Sequence, residues 1–274
     1  MSRPLRQLLK NKAAIFGALL TLSFIVLGVF APLIAPGNPG AIHLKEKLAP
    51  PSMEHLLGRD ELGRDILGRL ILGTRISLEV GFIVTSVSVI IGILIGSWSG
   101  TRGGIVDDLL MRLVDILMAF PGLLLAIALV AVLGAGIGNV ILALCLMGWV
   151  GYARLTRGQA LLIRELEYIE AARALGGGTQ RIVFKHVIPN LISPIIIQAT
   201  LGMAGAVVAE AGLSFLGLGA KPGTPSWGSM LHSGMDYLRE APHLTLFPGL
   251  AIALVVLGLN LLGDGLRDAL DPKD

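Results

Sequence analysis

The sequence predicts an all-α polytopic membrane protein with six transmembrane helices. Three observations carry that prediction: an apolar composition, long gaps between charged residues, and a glycine-rich break inside the longest gap. Of the 274 residues, 54% are hydrophobic and 15% charged, against roughly 45–50% and 25% in soluble domains. That excludes an ordinary soluble enzyme. The length suits one compact bundle rather than several domains. Net charge is +3, too small to argue for nucleic acid as a partner. The single cysteine, Cys145, lies in an apolar run, so no disulfide framework forms within the chain.

The elements follow from the gaps. No Asp, Glu, Lys or Arg occurs between Lys12 and Lys45, and Ala13 to Ala35 is the apolar part of that stretch. Val80 to Thr101, Ile116 to Ala153, Val187 to Ala209 and Ala241 to Gly263 are equally free of charge. A hydrocarbon core of ~30 Å needs ~20 helical residues, so four gaps hold one span each. The Ile116–Ala153 gap is too long for one helix and is interrupted by the Gly134–Asn139 segment, which makes it a hairpin of two. Six helices result, at about 13–35, 76–98, 112–133, 138–154, 190–211 and 244–263. Arg3, Arg6, Lys10 and Lys12 resemble the basic start of a signal peptide. The apolar stretch after them exceeds the ~7–15 residues of such a segment and no A-x-A site follows, so it reads as an uncleaved first span. Six spans place both termini on one side. That side carries fourteen Lys and Arg against eight on the other, which puts the termini in the cytoplasm.

Three polar segments remain. Residues 37–74 lie outside and become helix-like, with Leu62, Ile66, Leu67, Leu70 and Ile71 opposite Arg64, Asp65 and Arg69. This predicts an amphipathic helix along the outer surface before the second span. Gly-Arg-Asp occurs at 58–60 and again at 63–65; pairing of these charges along one helix face is favoured over a cation or ligand site. Residues 213–243 form the second outer segment. There Gly217 and Gly219 allow a bend, Ser226 is a cap for a helix reaching about Arg239, and Trp227 and Tyr237 suit the interfacial aromatic belt.

Residues 154–190 form the third segment, on the cytoplasmic side. Leu162, Leu166 and Ile169 make a helical stripe, Gly176 to Gly178 stop that helix, Thr179 caps a second one, and Pro189 ends it. Ala171 and Ala172 leave the first helix a face with little bulk, suited to a packed protein partner. Glu170-Ala171-Ala172, three residues, Gly176, and Pro189 at its place resemble the EAA loop of ABC-importer permeases; His186 and Ile188 stand where that pattern has Ile and Leu. Further stretches are similar to the C-type subunit of the dipeptide/oligopeptide/nickel branch. They include Leu62-Gly63-Arg64-Asp65, Met111-Arg112-Leu113-Val114-Asp115, Ala119-Phe120-Pro121, Ala209 to Gly219, Pro225-Ser226-Trp227-Gly228 and Asn260 to Pro272. Arg59 replaces the usual Thr and Gly68 the usual Ser.

The resemblance implies a MetI-like type I permease bundle in a prokaryotic inner membrane. In that reading residues 1–75 hold the N-terminal segment, first helix and outer segment, and 76–274 form a five-helix permease core with its coupling loop at 154–190. It implies a second, homologous permease, two cytoplasmic ABC ATPases that bind ATP and Mg, and an extracytoplasmic solute-binding protein. Glu170, Ala171, Ala172, Gly176 and Pro189 are then the ATPase-coupling residues. The substrate class is peptides, with nickel or another small solute as the alternative and a secondary transporter as a more distant one.

Chemistry of its own is not expected from this chain. The dipeptide Gly-Lys is absent, so no Walker A loop exists, and the five His are scattered without metal-ligand spacing. No catalytic residue, metal or bound cofactor is expected. Ionisable groups within spans are functional candidates: Glu79, Glu210, and Arg112 with Asp115, for which a local structural pair between i,i+3 neighbours is favoured. Glu210, with Ser214, Phe215, Gly217 and Gly219, forms the translocation-path candidate; lining the path and interhelical hydrogen bonding weigh equally for the carboxyl group. The small residues Gly202, Ala204, Gly205 and Ala206 favour close helix packing there.

Overall fold

A computed structural model of the chain describes residues 8, 10–36, 38–221 and 223–270. Arg3, Arg6, Gly37, Pro222 and residues 271–274, which enter the reading above, lie outside them. Helix α1 (Lys12–Ile34) is capped by the Asn11 side chain, which accepts from the N–H groups of Ala13 and Ala14. The same amide donates to Asp268 at 3.2 Å, so the beginning of α1 and the end of the last helix share one end of the bundle, here called the base. The opposite end is the rim.

Helix α2 (Ile66–Arg102) runs 37 residues without a break. The separate surface helix expected before the second span is therefore corrected: residues 66–75 are the first turns of α2, and the polar pattern there marks its emergence at the rim. Asp65 caps it, accepting from Gly68 N–H at 2.8 Å. Helices α3 (Gly104–Ala119) and α4 (Gly122–Leu133) replace the single helix expected at 112–133 and meet at 85°. The cause is Pro121: its ring pushes Phe120 out of the helical region, to φ −94° and ψ 138°.

Helix α5 (Ile137–Arg164) continues ten residues past the expected 154. A short helix α6 (Glu167–Ala174) follows, then α7, which runs from Thr179 to Phe215. The second loop helix expected to end at Pro189 does not end there. A widened turn over Val183–Val187 leads straight through Pro189 into the fifth span; such a bulge relaxes the backbone where proline lacks its N–H. Helix α8 (Trp227–Met235) is capped reciprocally by Ser226 and Ser229 and stops short of Arg239. Helix α9 (His243–Leu270) closes the bundle. Among the described residues, five of these helices are long and apolar enough to cross a membrane, six if the bent α3–α4 pair is one span. The chain is thus an all-α, multi-pass membrane protein.

The central contact is α2 on α5. A Cβ added at Gly92 would lie 2.3 Å from the Tyr152 Cβ, and one at Gly96 would lie 2.0 Å from Thr156 Oγ1 and 2.2 Å from the Ala153 carbonyl. Glycines four residues apart thus let the two backbones touch, and Thr156 donates to the Gly92 carbonyl at 2.8 Å. At the base, Arg157 holds Asp107 through two hydrogen bonds of 2.6 and 2.8 Å, and Ser99 bonds the same carboxylate. That joins α2, α3 and α5. Asp115 pairs with Arg154 of α5 rather than with Arg112. Trp227, expected at an interface, is fully buried; it packs edge-on to Phe24 and donates to the Leu70 carbonyl at 3.1 Å.

Candidate functional site

The base carries the loop. Helix α6 is eight residues long, about 12 Å, and exposes Glu170, Ala171, Arg173 and Ala174. Ile169 is its anchor: it is fully buried among Ala160, Ile163, Ile182, Val187, Leu191 and Ile195, beside Val89 and Ile93 of α2. The expected apolar stripe does not survive, since Leu162 closes α5, Leu166 lies at the break between α5 and α6, and both are exposed. Leu175, 88% exposed, is an apolar side chain with no cover among the described residues.

Gly176 ends α6. Its φ is +86°, its N–H donates to the Arg173 carbonyl at 2.9 Å, and Gly177 N–H reaches back to the Ala172 carbonyl at 2.9 Å. This is the crossed pair of a Schellman stop, and the left-handed position at its centre favours glycine. Pro189, exposed, sits in the first turns of α7 beyond the widened segment. The loop is therefore a short anchored helix, a fixed turn, and the start of a continuous 37-residue rod. Glu170, Ala171, Ala172 and Gly176 come together on it; Pro189 is part of the rod.

Glu210 lies near the rim end of the same rod. It is fully buried, accepting from Ser77 Oγ of α2 at 3.0 Å and from Ser214 Oγ at 2.7 Å. The carboxyl group is thus an interhelical tie enclosed within the subunit. Gly217, at φ +78°, ends α7 through a second Schellman pair: its N–H bonds the Ser214 carbonyl and Leu218 N–H bonds that of Leu213. The chain then folds back so closely that a Cβ on Gly219 would lie 1.8 Å from Ser214 Oγ. Phe215 is half-buried, edge-on to His232. Glu79 stands exposed on α2.

The two Gly-Arg-Asp copies also meet at the rim. Arg59 and Asp65 face each other across an isolated bridge. Asp60 holds Arg64 at 2.6 Å and Arg69 at 3.3 Å, Glu61 holds Arg64 at 2.7 Å, and Glu46 holds Arg59 at 2.8 Å. These charges do pair, as expected, but buried in a knot of turns over α8 instead of along a solvated helix face. One concave feature escaped the sequence reading: a hollow of about 310 Å³ between α2, α4, α5 and α7. Its trace in the sequence is two glycine pairs three residues apart, Gly148 with Gly151 and Gly202 with Gly205, all of which line it.

Comparison with known proteins bears directly on these features. Residues 92–273 match the family described as binding-protein-dependent transport system inner membrane component. Residues 2–51 match the N-terminal TM domain of oligopeptide transport permease C. The dipeptide transport system permease protein DppC of Alkalihalophilus pseudofirmus is 45% identical over 268 residues, covering 98% of this chain and 88% of that one. The glutathione transport system permease protein GsiD of Pectobacterium atrosepticum is 42% identical, with 98% and 89% covered. The oligopeptide transport system permease protein OppC of Bacillus subtilis is 41% identical, with 96% and 86% covered.

Proposed function

The chain belongs to the family of inner membrane components of binding-protein-dependent transport systems, and on that premise we propose that it forms, with a second permease, the membrane path for di- or oligopeptides in an ATP-driven importer. Relatives that differ in named cargo share peptide chemistry, since glutathione is itself a tripeptide. Two ABC ATPases on the cytoplasmic face bind ATP and Mg and do the hydrolysis; an extracytoplasmic protein delivers the peptide. The base, with the start of α1, the end of α9 and α6, faces the cytoplasm, in keeping with the excess of Lys and Arg on that side.

One observation supports this reading above the others. Helix α6 exposes a small-residue face and the uncovered Leu175, yet is pinned from behind by Ile169 and joined by a fixed turn to the rod that reaches the rim. A surface of that kind fits a groove in a cytoplasmic subunit, and closure of an ATPase pair would swing the rod between two states with different contacts. The test is Glu170→Lys in a complex reconstituted with its partner subunits in liposomes. Uptake and peptide-stimulated ATP hydrolysis are expected to fall at least tenfold at an unchanged membrane level of the subunit. Wild-type uptake by this variant would remove the coupling assignment.

A further inference from the structure

We propose that the groove between the base end of α2 and the start of α7 is a binding site for one anionic phospholipid. The permease reading above enters only in placing that lipid in the cytoplasmic leaflet. The groove has a volume of about 720 Å³, within the roughly 300–1,000 Å³ of ligand sites. Leu94, Trp98 and Arg102 recur every fourth residue on one face of α2 and form one wall; Gln180, Val183 and Phe184 of α7 form the other. Leu94, Trp98 and Phe184 are exposed, so the groove is apolar and without cover among the described residues.

Depth and charge identify what fills it. Leu94 and Trp98 belong to the charge-free stretch that ends at Thr101, and Arg102 is the first charge after it. From Leu94 to Arg102 is two helical turns, about 12 Å. The groove therefore runs from head-group level into the hydrocarbon, and Trp98 stands where an interfacial aromatic belongs. A water-soluble subunit docked at the base does not follow it to that depth. A lipid, with a polar head and an acyl chain in one molecule, spans both levels.

Charge selects among lipids. Arg102 lines the groove, and Arg181 and Lys185 are exposed on α7 one position beyond Gln180 and Phe184. None of the three takes part in an ion pair among the described residues, and no Asp or Glu is among the residues that line the groove. Unpaired cations at head-group level favour a lipid of net negative charge, such as phosphatidylglycerol, over the zwitterion phosphatidylcholine. Gln180 adds a neutral donor. Gly178 and Thr179 also line the groove, so the head group rests against the segment that joins α6 to the rod.

The experiment reads tryptophan quenching in the full chain, reconstituted in phosphatidylcholine vesicles. The quencher is phosphatidylglycerol or phosphatidylcholine brominated on the upper acyl chain. The Trp98 signal is the difference between the unaltered chain and Trp98→Phe. Brominated phosphatidylglycerol is expected to quench it to saturation at a mole fraction about fivefold lower than brominated phosphatidylcholine needs, the preference given by about one basic residue at the membrane surface. Arg102→Gln should remove most of that preference and Arg102→Lys should keep it, which separates lost charge from damage to the fold. Coinciding curves for the two lipids on the unaltered chain overturn the proposal, and so does a preference undiminished in Arg102→Gln. Water-soluble glycerol phosphate should leave the quenching unchanged; competition by it would mean that the site reads a free phosphate instead of a lipid. The same preference is expected in the complete complex, and its loss there would mean that a partner subunit fills the groove, which overturns the proposal as well. No transport is measured, so failure here leaves the permease reading standing.

Discussion

At Gly176 the backbone, not the space around it, sets the residue. Among the described residues no atom lies within 4 Å of an added Cβ, but φ is +86°. Alanine and leucine there should cost the subunit about the same, near 1–2 kcal/mol for a left-handed non-glycine residue, read as faster amide exchange in α6. Uptake should separate them: leucine adds bulk on a face that only a partner can touch, so Gly176→Leu should fall well below Gly176→Ala. Equal uptake by the two would mean that no partner packs at the turn. Glu210 is the opposite case, set by its neighbours. Glu210→Gln keeps an acceptor for one hydroxyl and should cost under about 1 kcal/mol, while Glu210→Ala strands both Ser77 and Ser214 and should cost more, in the ~1–2 kcal/mol range of interhelical hydrogen bonds in membranes. Thermal unfolding of the detergent-purified subunit measures both. A Glu210→Ala subunit as stable as wild type but unable to transport would assign the carboxyl group to the path instead. The stop at Gly176 was legible in the sequence because a Schellman turn is local. The Ser77–Glu210 tie was not, because its partners are 133 residues apart and nothing local marks which serine meets which carboxyl group.

Charge gaps located the five unbroken spans, since the bilayer forbids unpaired charge over the same length that a helix needs to cross it. They could not locate helix ends: α2, α5 and α7 all run on into water, where polar residues are as helical as apolar ones. The 85° break at Phe120 was visible as Pro121, but an apolar run on both sides hid it. Packing at this scale depends on which glycines face a neighbour. A Cβ on Gly96 would lie 2.0 Å from Thr156 Oγ1 and 2.2 Å from the Ala153 carbonyl, well inside van der Waals contact, whereas one on Gly158 of α5 meets nothing within 4 Å among the described residues. Gly96→Ala should therefore push α2 from α5 and sharply lower the folded yield in membranes. Gly158→Ala should be neutral or stabilise α5 by up to about 1 kcal/mol, the helix preference of alanine over glycine. Equal yields of the two variants would mean that the α2–α5 contact does not limit folding.

Across the whole molecule, one rod connects the candidate coupling surface to the rim. Helix α7 has 37 residues, about 55 Å at 1.5 Å per residue, with the α6 turn at one end and Glu210 near the other. Force applied to α6 reaches that rod in two ways: through the turn at Gly176–Gly178, a single strand of chain, and through Ile169, which is wedged between α5, α7 and α2. The second route is stiff, because a close-packed apolar contact has discrete arrangements and little give. Ile169→Ala therefore separates docking from transmission. It leaves the exposed face of Glu170 and Ala171 unchanged but removes the wedge, at about 2–5 kcal/mol for a buried isoleucine. ATPase subunits should still bind the variant and hydrolyse ATP when peptide is delivered, while peptide moved per ATP drops several-fold. Glu170→Lys, acting at the docking face, should lower hydrolysis and uptake together. If Ile169→Ala instead lowers both in parallel, the wedge serves only to hold α6 in place for docking, and the stiff route to the rim must run through another contact.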